Sequence, residues 1–368
     1  MIILNNMTNE LLLDTRNHIG HITLNRPERL NALNHSMIKL MHEQLRDWER
    51  NKNIYAVVIR GAGEKAFCAG GDIRAVYDSL TQGGQQHEKF FLYEYELDHY
   101  LHKYRKPIVV LMDGIVMGGG VGLAMAAQLR VVGDKTKFAM PETNIGFFPD
   151  VGASWFLPRL LGSLGEYLGI TGAPLKAADC LYAGIGDVYL TPEQWQTLDV
   201  ALDNIEWGDD KRWTLVRTIK MIGASSLPDA PLAKLHDTIN EHFSKPTLQA
   251  VAESLKNDAR PDHKEWASNT LASMQKRSPT MMAVTLEQIR KGRNLDDLAD
   301  AFRLELGMLQ ACFAQKDFQE GVRALIIDKG HAPKWNPATI EEVKAESVKK
   351  FFAPAWHPDE HPLAGLGK

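Results

Sequence analysis

Three short stretches of this 368-residue chain carry residue types that can do chemistry. The first is Lys-Ala-Phe-Cys-Ala-Gly-Gly-Asp-Ile at 65–73. Its paired glycines allow backbone to approach a ligand closely, or simply make a tight turn into a helix capped by Asp72. The second is Asp-Gly-Ile-Val-Met-Gly-Gly-Gly-Val-Gly-Leu at 113–123, where Gly118, Gly119 and Gly120 open a predicted helix. Small residues there expose N–H donors at the positive end of the helix, and such donors can stabilise an oxyanion. Close packing of a small-residue face is the plainer alternative. The third is Met-Pro-Glu-Thr-Asn-Ile-Gly-Phe-Phe-Pro-Asp at 140–150, with Glu142 and Asp150 flanking Ile145, Phe147 and Phe148. A carboxyl held against apolar groups has a raised pKa and can act as base, acid or nucleophile, and a second acid nearby raises it further. Capping of turns beside prolines would use the same residues.

Elements of a familiar kind must position these stretches. Residues 18–24 read as a strand, with a turn at Asn25-Arg26-Pro27. A helix follows from an N-cap at Asn34, with Met37, Leu40, Met41, Leu45 and Trp48 on one face. Residues 54–60, 108–112, 130–132 and 138–140 read as further short strands. Strand, loop and helix alternate to about Thr191, which predicts an α/β fold. After Pro192 the segments 213–222, 247–256, 265–275 and 295–313 read as helices divided by polar or proline-bearing breaks. The expected organisation is an α/β core over 1–205, a helical region over 206–352 and a tail over 353–368, a loose cover or frayed end.

Other patterns carry less. Gly61-x-Gly63-x-x-Ala66 fits a dinucleotide fingerprint, but Gly70-Gly71 interrupts the helix it needs. No Walker lysine-serine pair and no Gly-x-Ser-x-Gly elbow occurs. His99 and His102, near Asp98, read as a solvated helix face rather than a metal site, and none is expected at His357 and His361. A net charge of −4 and no long basic run argue against nucleic acid. Three scattered cysteines suit a reducing compartment. The start of the chain lacks the marks of a leader, and the longest apolar stretch, 115–127, is too short to span a bilayer. A cytoplasmic protein without membrane partners is expected.

Taken in order and spacing, Ile-Thr-Leu-Asn-Arg-Pro at 22–27, Leu-Asn-Ala-Leu at 30–33, Phe-Cys-Ala-Gly-Gly-Asp-Ile at 67–73, the glycine triplet and Pro141-Glu142 resemble the crotonase (enoyl-CoA hydratase/isomerase) superfamily. The resemblance implies a crotonase-like spiral of ββα units, with a helical C-terminal region. It implies that the amides of Gly71 and Gly119 hold a thioester oxygen, and that Glu142 is the catalytic acid. Substrate contacts would run along Arg29, Leu30, Ala69, Gly70 and Asp72. Two departures narrow the activity. Gly122 stands where hydratases carry a glutamate, and Asp150 stands where they have glycine. Residues 138–150 look like the 3-hydroxyisobutyryl-CoA hydrolase subfamily, as do 276–280, 309–312, 318–324 and 333–335. Glu94 matches a substrate-contacting glutamate of that subfamily. The activity implied is hydrolysis of a short 3-hydroxyacyl-CoA in valine breakdown. A hydratase or double-bond isomerase and a non-catalytic acyl-CoA-binding protein are the other readings. No cofactor is implied, since coenzyme A arrives as part of the substrate. The partner is that acyl-CoA; the family's trimers and hexamers make a homo-oligomer one option, which a long C-terminal region can alter.

Overall fold

The computed structural model describes residues 9–224 and 226–368; the first eight residues, part of the stretch read as lacking a leader, lie outside it. Nine strands form two sheets: β1 (Leu11–Arg16), β2 (Ile19–Leu24), β3 (Ala56–Gly61), β4 (Ala66–Cys68), β5 (Ile108–Met112), β6 (Ile115–Met117), β7 (Leu129–Gly133), β8 (Lys137–Ala139) and β9 (Val188–Leu190), among the described residues. The larger sheet has the order β1-β2-β3-β5-β7-β9 and the smaller β4-β6-β8. β1 and β2 pair antiparallel through Asn17 and His18, both at positive φ, the backbone a tight hairpin needs. The other pairings of the larger sheet are parallel. β3 and β5 are β-branched and mostly buried, as parallel strands covered on both faces must be.

Contacts group the chain into two compact units that each draw on separate segments. The first comprises 1–72, 97–138 and 175–230. Its core joins Val58, Val109, Leu111 and Val131 of the sheet to Leu198, Leu202, Leu215 and Ile219. The last two lie on the helix Lys211–Ile222, so a cut at residue 205 does not coincide with this grouping. Asn34 caps the helix His35–Arg50 by accepting from the Met37 amide, and all five residues of its expected apolar face are buried.

The second unit comprises 73–96, 139–174 and 231–368. Ser278 caps the helix Pro279–Gly292, with proline at its first position, and Asp297 caps Leu298–Gln315. Phe91, Phe147, Phe313 and Phe318 form an aromatic cluster here.

Two expectations are corrected. His99 does not sit on a solvated face; it is buried together with Asp98, because the helix Gln86–His102 is covered along most of its length. The tail is not frayed. Leu363 is buried, and Arg303 donates to its carbonyl oxygen and to that of Leu366, so side-chain bonds fasten a segment too proline-rich for a helix.

Candidate active site

The glycine stretches lie in the first unit. β4 and β6 are neighbouring parallel strands, so the chain leaves both at the same end of the smaller sheet and enters a glycine turn each time. Gly70 has φ +110°, and a Cβ there would lie 3.4 Å from the Gly118 Cα and 3.6 Å from the Gly119 nitrogen. The two turns therefore touch. The Leu33 amide donates to the Gly70 carbonyl and the Asp72 amide to the Leu33 carbonyl, each at 2.8 Å. This leaves the intervening Gly71 amide turned away from Leu33. Gly119 is the first residue of the helix Gly119–Ala126, so its amide is one of the donors a helix leaves free. Neither amide donates to a backbone carbonyl among the described residues. The packing explanation also has a place: a Cβ on Gly120 would lie 2.3 Å from the Cys68 oxygen.

The turn bearing Arg29 and Leu30 is joined to the same stretch. Ala69 donates to the Leu30 oxygen at 3.0 Å. Leu30 and Asn31 both take positive φ, held by the buried Asn31 side chain, which donates to the carbonyls of Ala62 and Ala66. Arg29 itself is exposed. The Asp72 carboxylate accepts from Arg26 at 3.0 Å, which secures the stretch from below.

The acids lie in the second unit. Pro141 leads into a single 3-10 turn, Glu142–Ile145, that carries Glu142 inward to 6% exposure. Its Oε2 has no hydrogen-bond partner among the described residues. Burial, and then the charge of Asp150, push the Glu142 carboxyl well above the usual carboxylate range, with Arg277 pulling the other way. Arg277 comes from 276–280, tied to this turn by the Ser278 amide donating to the Thr143 carbonyl at 3.0 Å. Burial lowers the Arg277 guanidinium to about 10, which leaves it a cation at neutral pH.

Asp150 is also buried, and the Tyr95 hydroxyl donates to its Oδ2 at 2.8 Å. Burial raises the Asp150 carboxyl, and the Tyr95 bond and a backbone bond oppose that rise. Burial first, and then the Asp150 charge, push Tyr95 far up, so its hydroxyl stays a donor. Glu94, one residue earlier, is buried at 2% exposure. A buried carboxyl raised by burial and by a second acid beside it is suited to hold and hand over a proton.

Of the expected residues, Gly71 and Gly119 lie together with Leu30, Ala69, Gly70 and Asp72, whereas Glu142, Asp150 and Glu94 lie together in the other unit. Tyr95, Arg277 and Glu305, which holds the Asp150 loop, were not singled out. Tyr95 stood beside a flagged glutamate, and Arg277 stood within a flagged segment. Nothing local marked Glu305.

A family model described as enoyl-CoA hydratase/isomerase matches residues 19–352. The chain belongs to this family. It is 40% identical to "3-hydroxyisobutyryl-CoA hydrolase, mitochondrial" of Gallus gallus over 95% of this chain and 90% of that one. It is 39% identical to "Small ribosomal subunit protein mS47" of Neurospora crassa over 91% of this chain and 69% of that one. A solved carnitinyl-CoA dehydratase from Mycobacterium thermoresistibile superposes with a TM-score of 0.88 at 36% identity, covering 98% of this chain and 100% of that chain. The fold is therefore the crotonase fold, as the sequence motifs implied.

Proposed function

We propose that this protein hydrolyses the thioester of a short 3-hydroxyacyl-CoA, 3-hydroxyisobutyryl-CoA above all, as a step of valine breakdown. The observation that carries this reading is the buried pair Glu142 and Asp150, with Tyr95 bonded to the latter, in a chain that has Gly122 in place of a second hydratase glutamate. The similarity to the Gallus gallus protein supports it. The Gly71 and Gly119 amides donate to the thioester oxygen as negative charge develops on it. Loss of one such donor costs about 10²–10³ in rate. Glu142 attacks the carbonyl carbon directly, giving an anhydride, or draws a proton from the attacking water. Asp150 holds the substrate hydroxyl, positions Glu142 or protonates the departing thiolate. Glu94 contacts the acyl part, and the Arg29, Leu30, Ala69, Gly70 and Asp72 backbone runs along coenzyme A, which enters as substrate; no separate cofactor takes part.

We place the protein in the cytoplasm on its cysteine usage, although the similar Gallus gallus hydrolase is named as mitochondrial. No helix among the described residues is long and apolar enough to cross a membrane.

The test is a panel of acyl-CoA esters with a thiol reagent present. Release of free CoA from 3-hydroxyisobutyryl-CoA is the expected result. Loss of conjugated-enoyl absorbance without thiol release would instead establish a hydratase. One other reading is a non-catalytic acyl-CoA-binding or scaffold protein on the same fold, since one relative is named as a ribosomal subunit protein. Tight binding of CoA esters with no turnover of any thioester would establish it.

A further inference from the structure

Asp150 is followed by Val151 at φ +52° and Gly152 at φ +87°. Gly152 takes this region freely, but a left-handed valine is costly, because its branched Cβ crowds the carbonyl. Such backbone persists only where its surroundings hold it. Here the holding is done by Glu305, on the helix Leu298–Gln315. Its Oε2 accepts from the Gly152 amide and its Oε1 from the Ser154 amide, each at 2.8 Å, with the side chain fully buried. Gln288 adds a second tie, donating to the Pro149 carbonyl at 2.6 Å and to the Ser154 hydroxyl at 2.9 Å. The turn is thus bonded on both sides of Asp150, and Tyr95 bonds the carboxylate itself.

We propose that Glu305 is a positioning residue for thioester hydrolysis: by bonding the amides of Gly152 and Ser154 with its two oxygens, it holds the left-handed turn that aims the Asp150 carboxyl. This rests on the hydrolase reading and adds a residue to it. Glu305 touches no reacting atom. A buried carboxyl is retained there because only a group with two acceptor oxygens can take both amides at once. Burial, and then the Asp150 charge, raise it to about 8 against the pull of those amide bonds, so keeping it has a cost in folding.

The test is Glu305→Gln, which keeps the shape but points an NH2 donor at one of the two amides. With 3-hydroxyisobutyryl-CoA, kcat should fall about 10- to 100-fold, the scale expected when a reacting group moves by roughly an ångström. KM should stay within about threefold, since coenzyme A supplies most of the binding. In an Asp150→Asn background the same change should cost less than about twofold, because the group it aims has gone. A wild-type kcat in Glu305→Gln, a loss confined to KM, or the full loss persisting beside Asp150→Asn would each overturn the proposal. Should Glu305→Gln not fold, Gly152→Ala takes its place. A Cβ there has room, 3.4 Å from Leu298 Cδ1, so it strains only the turn. The same fall in kcat supports the proposal, and an unchanged kcat overturns it. If the unmodified protein releases no CoA from any 3-hydroxyacyl ester, the hydrolase reading itself fails, which is recognised because the parent rather than the variant is silent.

Discussion

The glycine turns and the acidic loop are built by opposite means. Gly71 and Gly119 offer main-chain amides, the first set by the backbone bridge to Leu33 and the second by its place at the start of a helix. Glu142 and Asp150 offer side chains whose direction and charge are set by residues far away, with Tyr95 55 positions and Glu305 153 positions from their partners. The two stretches, each in its own unit, divide their sensitivities accordingly. The glycine stretch is sensitive to any added side chain, since a Cβ on Gly120 would lie 2.3 Å from the Cys68 oxygen. The acidic half is exposed to any change in the helices that support it.

The sharpest way to break this comparison is Glu142→Gln. It should lower kcat by about 10³ or more, near the upper range for loss of a positioned acid or base, while leaving acyl-CoA binding intact. Next is the backbone half. Gly119→Pro removes the amide hydrogen and adds a ring, at a helix position where proline is tolerated, and should reduce kcat at least about 10²–10³-fold in a CoA-release assay. If Gly119→Pro were silent while Glu142→Gln was not, the backbone half would have no catalytic part. Tyr95→Phe should cost roughly a factor of ten, the value of about one hydrogen bond. It should also raise the Asp150 pKa further, since the lost bond opposed that rise, so the pH dependence of kcat should move upward.

A smaller effect concerns stability. Glu305 titrates at about 8 in the folded chain against 4.5 for a free glutamate. A raised folded pKa means the folded state binds more protons, so the contribution of Glu305 to stability is full below 4.5 and is lost as pH rises towards 8. Urea midpoints taken across that window should fall with pH, and fall less steeply in Glu305→Gln. The smallest change is expected of Asp72→Asn, which loosens the pair with Arg26 and should cost about 1 kcal/mol or less in urea unfolding.

These differences also explain what the sequence disclosed. The short strand at 108–112, the Asn34 cap and the glycine-opened helix follow from residues within a few positions of one another, and are found as read. The acids could be recognised by their apolar neighbours, yet not the groups that govern them. Tyr95 and Gln288 belong to helices whose periodicity says only that one face is buried. Glu305 sits among core residues of such a helix, where a carboxyl reads as an error in the pattern until the Gly152 and Ser154 amides are seen opposite it. His99 was misjudged for the related reason that polar residues suggested solvent.

The central claim is that Glu142 drives cleavage of a thioester, and it is tested most directly by mixing the protein and its Glu142→Gln variant with 3-hydroxyisobutyryl-CoA in the presence of a thiol reagent. The unmodified protein should release one thiol per substrate through many turnovers, and the variant should bind the ester with little or no release. Equal rates of thiol release from the two proteins would contradict the account.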